Sequence, residues 1–189
     1  KLVGMIPDIA FRPLGALALT ILIAGLVFLA LKWPRSVHMT FSQHAAQRKL
    51  TIVYYIVLFA IVLPLFFAFF AFWFVPQFKI SEWFICLILI SSIAQFVVTL
   101  IPETVGWRVG WHKAFAGISA LLLLPCMLLL IYTGEFSCTE RWIAWAGLVI
   151  MLSIVLKIAL SRKNLRFLLI MQALYFVSFF VPIIILAYL

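Results

Sequence analysis

Six apolar runs separated by short polar connections organise the chain. They cover residues 13–31, 50–75, 83–101, 114–132, 142–160 and 167–189. A helix rises about 1.5 Å per residue, so about 20 apolar residues cross a hydrocarbon core of about 30 Å. Each run is therefore a spanning helix by length, and the expected architecture is an all-α bundle of six transmembrane helices. Residues 1–12 form an N-terminal tail, and 13–189 form a single transmembrane domain. Lys1 to Gly4 read either as residues added ahead of a start at Met5 or as the end of a longer N-terminal segment.

The connections punctuate this pattern. The first, 32–49, holds Pro34, His38, Ser42, Gln43, His44 and Gln47, with Thr40 or Ser42 placed to cap the next helix. The second and fourth, 76–82 and 133–141, are short turns. The third, around 101–115, combines a helix stop at Pro102, the acid Glu103, the turn-formers Gly106 and Gly110, two indoles, and the basic trio Arg108, His112 and Lys113. Pro64, Pro125 and Pro182 fall inside even-numbered runs, where a missing N–H frees a carbonyl one turn back and is expected to kink the helix and open space beside it. Their regular placement also fits a hairpin used three times.

Composition agrees that lipid is the solvent. With 68% hydrophobic and 10% charged residues, the chain lacks the polar surface that a water-soluble fold needs. The formal charge of +9 is unevenly placed. Lys32, Arg35, Arg48, Lys49, Arg108, Lys113, Lys157, Arg162, Lys163 and Arg166 lie at connections one, three and five, against Lys1, Arg12, Lys79 and Arg141 on the other face. The positive-inside rule then puts the odd connections in the cytoplasm and both termini on the non-cytoplasmic side. Such clusters suit anionic head groups, and no basic stripe with interleaved aromatics offers a nucleic acid a surface. Trp33, Trp73, Trp83, Trp107, Trp111 and Trp142 fall near run ends, as interfacial anchors do.

Candidate chemistry gathers on the basic face. His44, Arg48, Glu103, Arg108, His112 and Lys113, with Lys49 beside them, suggest a site for an anion or lipid head group near two helix starts. The same residues also satisfy the charge rule with no ligand at all. His38, His44 and His112 admit a minor alternative, a metal or haem held with Glu103, but no histidine pair has an i, i+4 spacing. The cysteines, Cys86, Cys126 and Cys138, form no C-x-x-C pair, and no cofactor is expected. Ser42 lies two residues from His44, yet no G-x-S-x-G turn surrounds it and its own connection carries no acid, so no nucleophile stands out.

Inside the runs, ionisable groups are nearly absent, which disfavours ion-driven transport; Lys157 is close enough to an end to snorkel. Ser91, Ser92, Gln95, Thr99, Ser119, Ser153 and Gln172 read as interhelical hydrogen bonders, with Gln95 and Gln172 alternatively lining a pocket for a lipid-like ligand.

The segment Leu100-Ile101-Pro102-Glu103-Thr104, followed by Trp111-His112-Lys113-Ala114-Phe115-Ala116-Gly117, resembles a region of a family of uncharacterised six-span prokaryotic membrane proteins. That family is similar in layout to the DRAM and Frag type. The resemblance implies a bacterial or archaeal plasma membrane and carries over no catalytic residue. The functional expectation is a non-enzymatic integral membrane protein, an accessory subunit among other membrane subunits or a lipid-associated bundle. The alternative is a membrane enzyme or carrier for a phosphorylated or lipidic substrate, which requires connections one and three to converge.

Overall fold

The structure, a computed structural model, describes residues 8–34, 36, 38–103, 107–160 and 167–189. Lys1 to Met5, Arg35, Thr104, Gly106, Arg162, Lys163 and Arg166, all used in the sequence reading, lie outside the described residues. A single 3-10 turn, Ile9–Phe11, leads into α1 (Arg12–Lys32), α2 (Phe41–Ala45) and α3 (Lys49–Phe69). The α3 helix runs on through a wider π-helical turn, Phe70–Phe74, into α4 (Val75–Gln77), and is followed by α5 (Trp83–Leu100), α6 (Trp107–Thr133), α7 (Cys138–Leu160) and α8 (Leu168–Tyr188). Six helices are long and apolar enough to cross a membrane, and among the described residues there is no strand.

Two boundaries differ from the sequence reading. The third connection is shorter than 101–115, because α6 already begins at Trp107 and carries His112 and Lys113 in its second turn. Hydropathy sees polar side chains there, but nothing in Trp107–Lys113 breaks a helix beyond the tolerable Gly110. Likewise α7 begins at Cys138, four residues before the expected 142, with Ser137 and Glu140 exchanging hydrogen bonds as a capping box: the Ser137 N–H donates to Glu140 Oε2 at 2.6 Å and the Glu140 N–H to Ser137 Oγ at 3.3 Å.

Pro64, Pro125 and Pro182 all sit within continuous helices. Trp73, expected at the interface, is instead buried, packed among Phe69, Phe74 and Phe78 beneath the Arg12 guanidinium. The π turn accounts for this: one extra residue per turn redirects the side chains of Phe70–Phe74, and four of the five, Phe70, Ala71, Trp73 and Phe74, end up inward.

Helix pairs pack through small residues and hydrogen bonds, since lipid offers no hydrophobic drive between helices. Along α1 the buried positions Gly15, Ala18, Leu22, Gly25 and Leu29 repeat every three or four residues and face α3. A Cβ on Gly25 would stand 2.5 Å from Leu58 Cδ1, and the close approach lets the Tyr54 hydroxyl donate to the Gly25 carbonyl at 3.0 Å. Ser91 Oγ donates to the Ser119 carbonyl at 2.9 Å and ties α5 to α6; the Tyr175 hydroxyl donates to the Ala120 carbonyl and ties α6 to α8. By contrast, Ser153 and Thr99 bond within their own helices, to Val149 and Phe96.

The ends of the described chain meet. Arg12 donates to the Ala187 carbonyl from Nε at 3.2 Å and Nη2 at 3.0 Å, the Tyr188 hydroxyl donates to the Arg12 carbonyl at 2.8 Å, and the guanidinium lies 4.9 Å over the Tyr188 ring. This staple joins α1 to α8 at one face of the bundle. Towards the other face the same two helices border a cleft of about 320 Å³ with no polar lining, bounded by Leu19 to Ala30 of α1, Leu169 to Phe180 of α8, and Phe41 of α2 at its end.

Candidate functional site

The first and third connections converge. Thr40 starts α2 with a capping box: Thr40 Oγ1 accepts from the Gln43 N–H at 3.2 Å, and the Gln43 side chain accepts from the Thr40 N–H at 3.0 Å. That cap lifts a five-residue helix out of an otherwise irregular connection. Gln172 of α8 accepts from the Phe41 N–H at 3.0 Å, anchoring α2 from the far side. Thr51 fixes its C-terminal end, donating to the Ala45 carbonyl at 2.6 Å and the Arg48 carbonyl at 2.8 Å.

Held this way, Ser42 meets His112 of α6. Its Oγ lies 3.0 Å from His112 Nε2 and 2.8 Å from Thr40 Oγ1. His112 Nδ1 is 2.6 Å from the Ile101 carbonyl, which only accepts, so Nδ1 carries a proton, and a neutral ring in this tautomer would present the Nε2 lone pair to the Ser42 hydroxyl. The Gln43 N–H, Thr40, Ser42, His112 and the Ile101 carbonyl thus form one connected hydrogen-bond chain. Glu103 closes the group, with Oε2 at 3.5 Å from both hydroxyls and 3.8 Å from His112 Nε2. Ser42 is 7% and His112 3% exposed, so these groups meet out of water, where charge interactions are screened less. Beside them is a cavity of about 10 Å³, lined among others by Ser42, Tyr55, Thr99 and His112. That is about the volume one water requires.

The six residues expected to form one anion site are thus distributed over three places. Glu103 and His112 join Ser42. His44 turns the other way: Nδ1 is bonded to the Thr40 carbonyl at 3.0 Å, and the ring lines a separate pocket of about 480 Å³ with Lys32, Trp33, Pro34, Gln47, Arg48 and Thr51. Arg108 stacks 5.9 Å over Trp107, and both it and Lys113 are exposed. His38, also exposed, accepts from the Phe167 N–H at 3.3 Å. Among the described residues, no three histidine, cysteine or acidic side chains gather as a metal site.

Ser42 and Thr40 belong to this group, whereas the sequence reading has both only as helix caps and sets Ser42 aside as a nucleophile. The histidine of Ser42 is His112, not the neighbouring His44, and its acid comes from the third connection. The available signal was topological: connections of the same parity lie on one face of a bundle of spanning helices.

A second, apolar space lies deeper. About 50 Å³ is enclosed between α1, α3, α5, α6 and α8, with Ser91, Ser92, Gln95 and Ser119 supplying its polar edge. It shares Leu22, Leu26, Phe176 and Phe180 with the α1/α8 cleft, so the two spaces adjoin, and Pro64, Pro125 and Pro182 line neither. Ser119 Oγ is 3.4 Å from Gln95 Oε1, so Gln95 both bonds across helices and borders a cavity. Gln172 lines neither space.

No family model, no curated protein and no solved structure matches this chain.

Proposed function

We propose that the protein is a lipid-associated bundle that holds one anionic phospholipid, with an acyl chain in the α1/α8 cleft and the phosphate at the basic pocket beyond it. The carrying observation is the cleft itself: about 320 Å³, wholly apolar, and bordered by two spanning helices. That volume falls in the range of about 300–1,000 Å³ typical of small-molecule pockets. Charge supports the choice of occupant. The cleft ends at Ala30 and Phe41, and Lys32, two residues along α1, together with Arg48 and His44 lines the 480 Å³ pocket. A phosphate there meets two fixed positive charges at head-group depth, where each is worth about 1 kcal/mol towards an anionic lipid. By the charge rule this face is cytoplasmic, and the resemblance of residues 100–117 adds that the membrane is a bacterial or archaeal plasma membrane.

The test is photo-crosslinking of the full chain in nanodiscs with a phosphatidylglycerol that carries a diazirine midway along one acyl chain. Crosslinks should concentrate on Ile170, Ala173 and Val177, and Ala173→Phe, which fills the cleft, should remove them. Crosslinks spread evenly over outward residues such as Ile61 and Ile93 would overturn the reading. Native mass spectrometry of the same sample weighs the competing role directly, because an accessory subunit would carry a second polypeptide in constant ratio.

A further inference from the structure

The lipid reading leaves the Ser42, His112 and Glu103 group without a task. Anchoring alone needs no serine hydrogen-bonded to a buried imidazole with a carboxylate beside it. We infer that Ser42 is a nucleophile, with His112 as its base, acting on the acyl ester of the lipid whose chain occupies the cleft; the inference rests on the lipid reading above. Three side chains of the five-residue α2 bring it near such a lipid: Phe41 lines the cleft, His44 lines the basic pocket, and Ser42 is hydrogen-bonded to His112. In a phospholipid the ester carbonyl lies between chain and phosphate, so a lipid held at both spaces carries its ester past α2.

The geometry suits a base. The Ile101 carbonyl, 2.6 Å from Nδ1, holds a proton there, and in the neutral ring this leaves the Nε2 lone pair directed at the Ser42 hydroxyl 3.0 Å away. This is the nucleophile, base and orienting-group arrangement of acyl transfer, with a backbone carbonyl as the third member. Ser42 Oγ attacks the ester carbon and its proton passes to Nε2. The bond from carbon to the alcohol oxygen then breaks, and the leaving oxygen takes the proton from Nε2. Water next attacks the acyl-Ser42 carbonyl and gives its proton to Nε2, and Ser42 recovers that proton as it leaves. One water is consumed, and a fatty acid and a lysolipid are released. Glu103 is a positioning residue: its carboxylate, 3.8 Å from Nε2, faces the positive charge that appears on the ring in each step. Phe41 lines the cleft and is buried beside Ser42 in the chain, and its ring swings aside for the ester to reach the hydroxyl.

The full chain in nanodiscs is treated with a fluorophosphonate probe, the adduct is mapped by peptide mass spectrometry, and lipid crosslinking in the cleft is followed in parallel. The expected result is an adduct on Ser42, absent in Ser42→Ala and slowed about a hundredfold or more in His112→Gln. Phe41→Ala should speed labelling. Because His112→Gln can disturb folding, Glu103→Gln is the second variant: its amide keeps contact with Thr40 and Ser42 without the charge, and labelling should slow about tenfold. No adduct on wild-type Ser42, or a labelling rate unchanged in Glu103→Gln, overturns the nucleophile. Cleft crosslinks that persist in Ser42→Ala show that the lipid reading survives that failure, whereas loss of cleft crosslinks in the wild type removes the lipid reading itself.

Discussion

Gly147 of α7 offers the sharpest test of the helix packing. A Cβ there would fall on the Ser178 carbonyl oxygen, with Pro182 Cγ at 2.9 Å and Met127 Cε at 3.1 Å. The methionine tip can move aside. The Ser178 carbonyl and the Pro182 ring belong to the α8 backbone and cannot, so Gly147→Ala must push α7 away from α8. Overpacking of this kind costs about 1–3 kcal/mol. The upper end applies because backbone is struck, and against it alanine recovers about 1 kcal/mol of helix propensity. The net loss is about 2 kcal/mol. Gly117 of α6 is the matched control, since nothing lies within 4 Å of its added Cβ and Gly117→Ala should gain about 1 kcal/mol. The two variants make the same chemical change and should differ by about 3 kcal/mol in reversible unfolding by sodium dodecyl sulfate in one mixed micelle. Equal stability of the two would refute the close α7/α8 contact.

Two further changes probe how the site is held. Thr51→Val keeps shape but removes the hydroxyl that serves the Ala45 and Arg48 carbonyls, and should cost about 1–2 kcal/mol, read as faster hydrogen exchange in residues 41–47 with α5 and α6 unaffected. Arg12→Gln weakens the staple between α1 and α8 by about 1–2 kcal/mol and should widen the spread of distances between spin labels at Leu17 and Ile185, without changing exchange at Ser42 or His112.

The spanning helices were legible because membrane thickness imposes a length on every apolar run, and that length is written directly in the sequence. Details governed by side-chain direction were not. Trp73 sits near a helix end and reads as an anchor, but the π turn at Phe70–Phe74 turns it inward, and no composition signal marks such a turn. The start of α6 was hidden because Trp107 to Lys113 mix charged and aromatic residues with Val109 and Gly110, a composition in which hydropathy cannot separate a helix from a loop. The Ser42 to His112 bond joins residues 70 apart in the chain, beyond any local spacing rule. Glu103 and His112 were singled out and do come together, whereas Arg108 and Lys113 face outward because α6 is already helical there and its buried side is taken by His112.

The brevity of α2 has a consequence for how the connection tolerates change. In five residues it presents Phe41, Ser42 and His44 to three different compartments, so its phase matters more than most of its composition. One residue inserted between Trp33 and Thr40 leaves room for the loop to absorb it, because the Thr40 cap resets the register. One residue inserted between Thr40 and His44 turns everything after it by about 100° and withdraws at least one of the three from its compartment. Length variation should therefore be accepted before the cap and rejected after it, a frame-like constraint on a stretch that hydropathy alone would class as a loop.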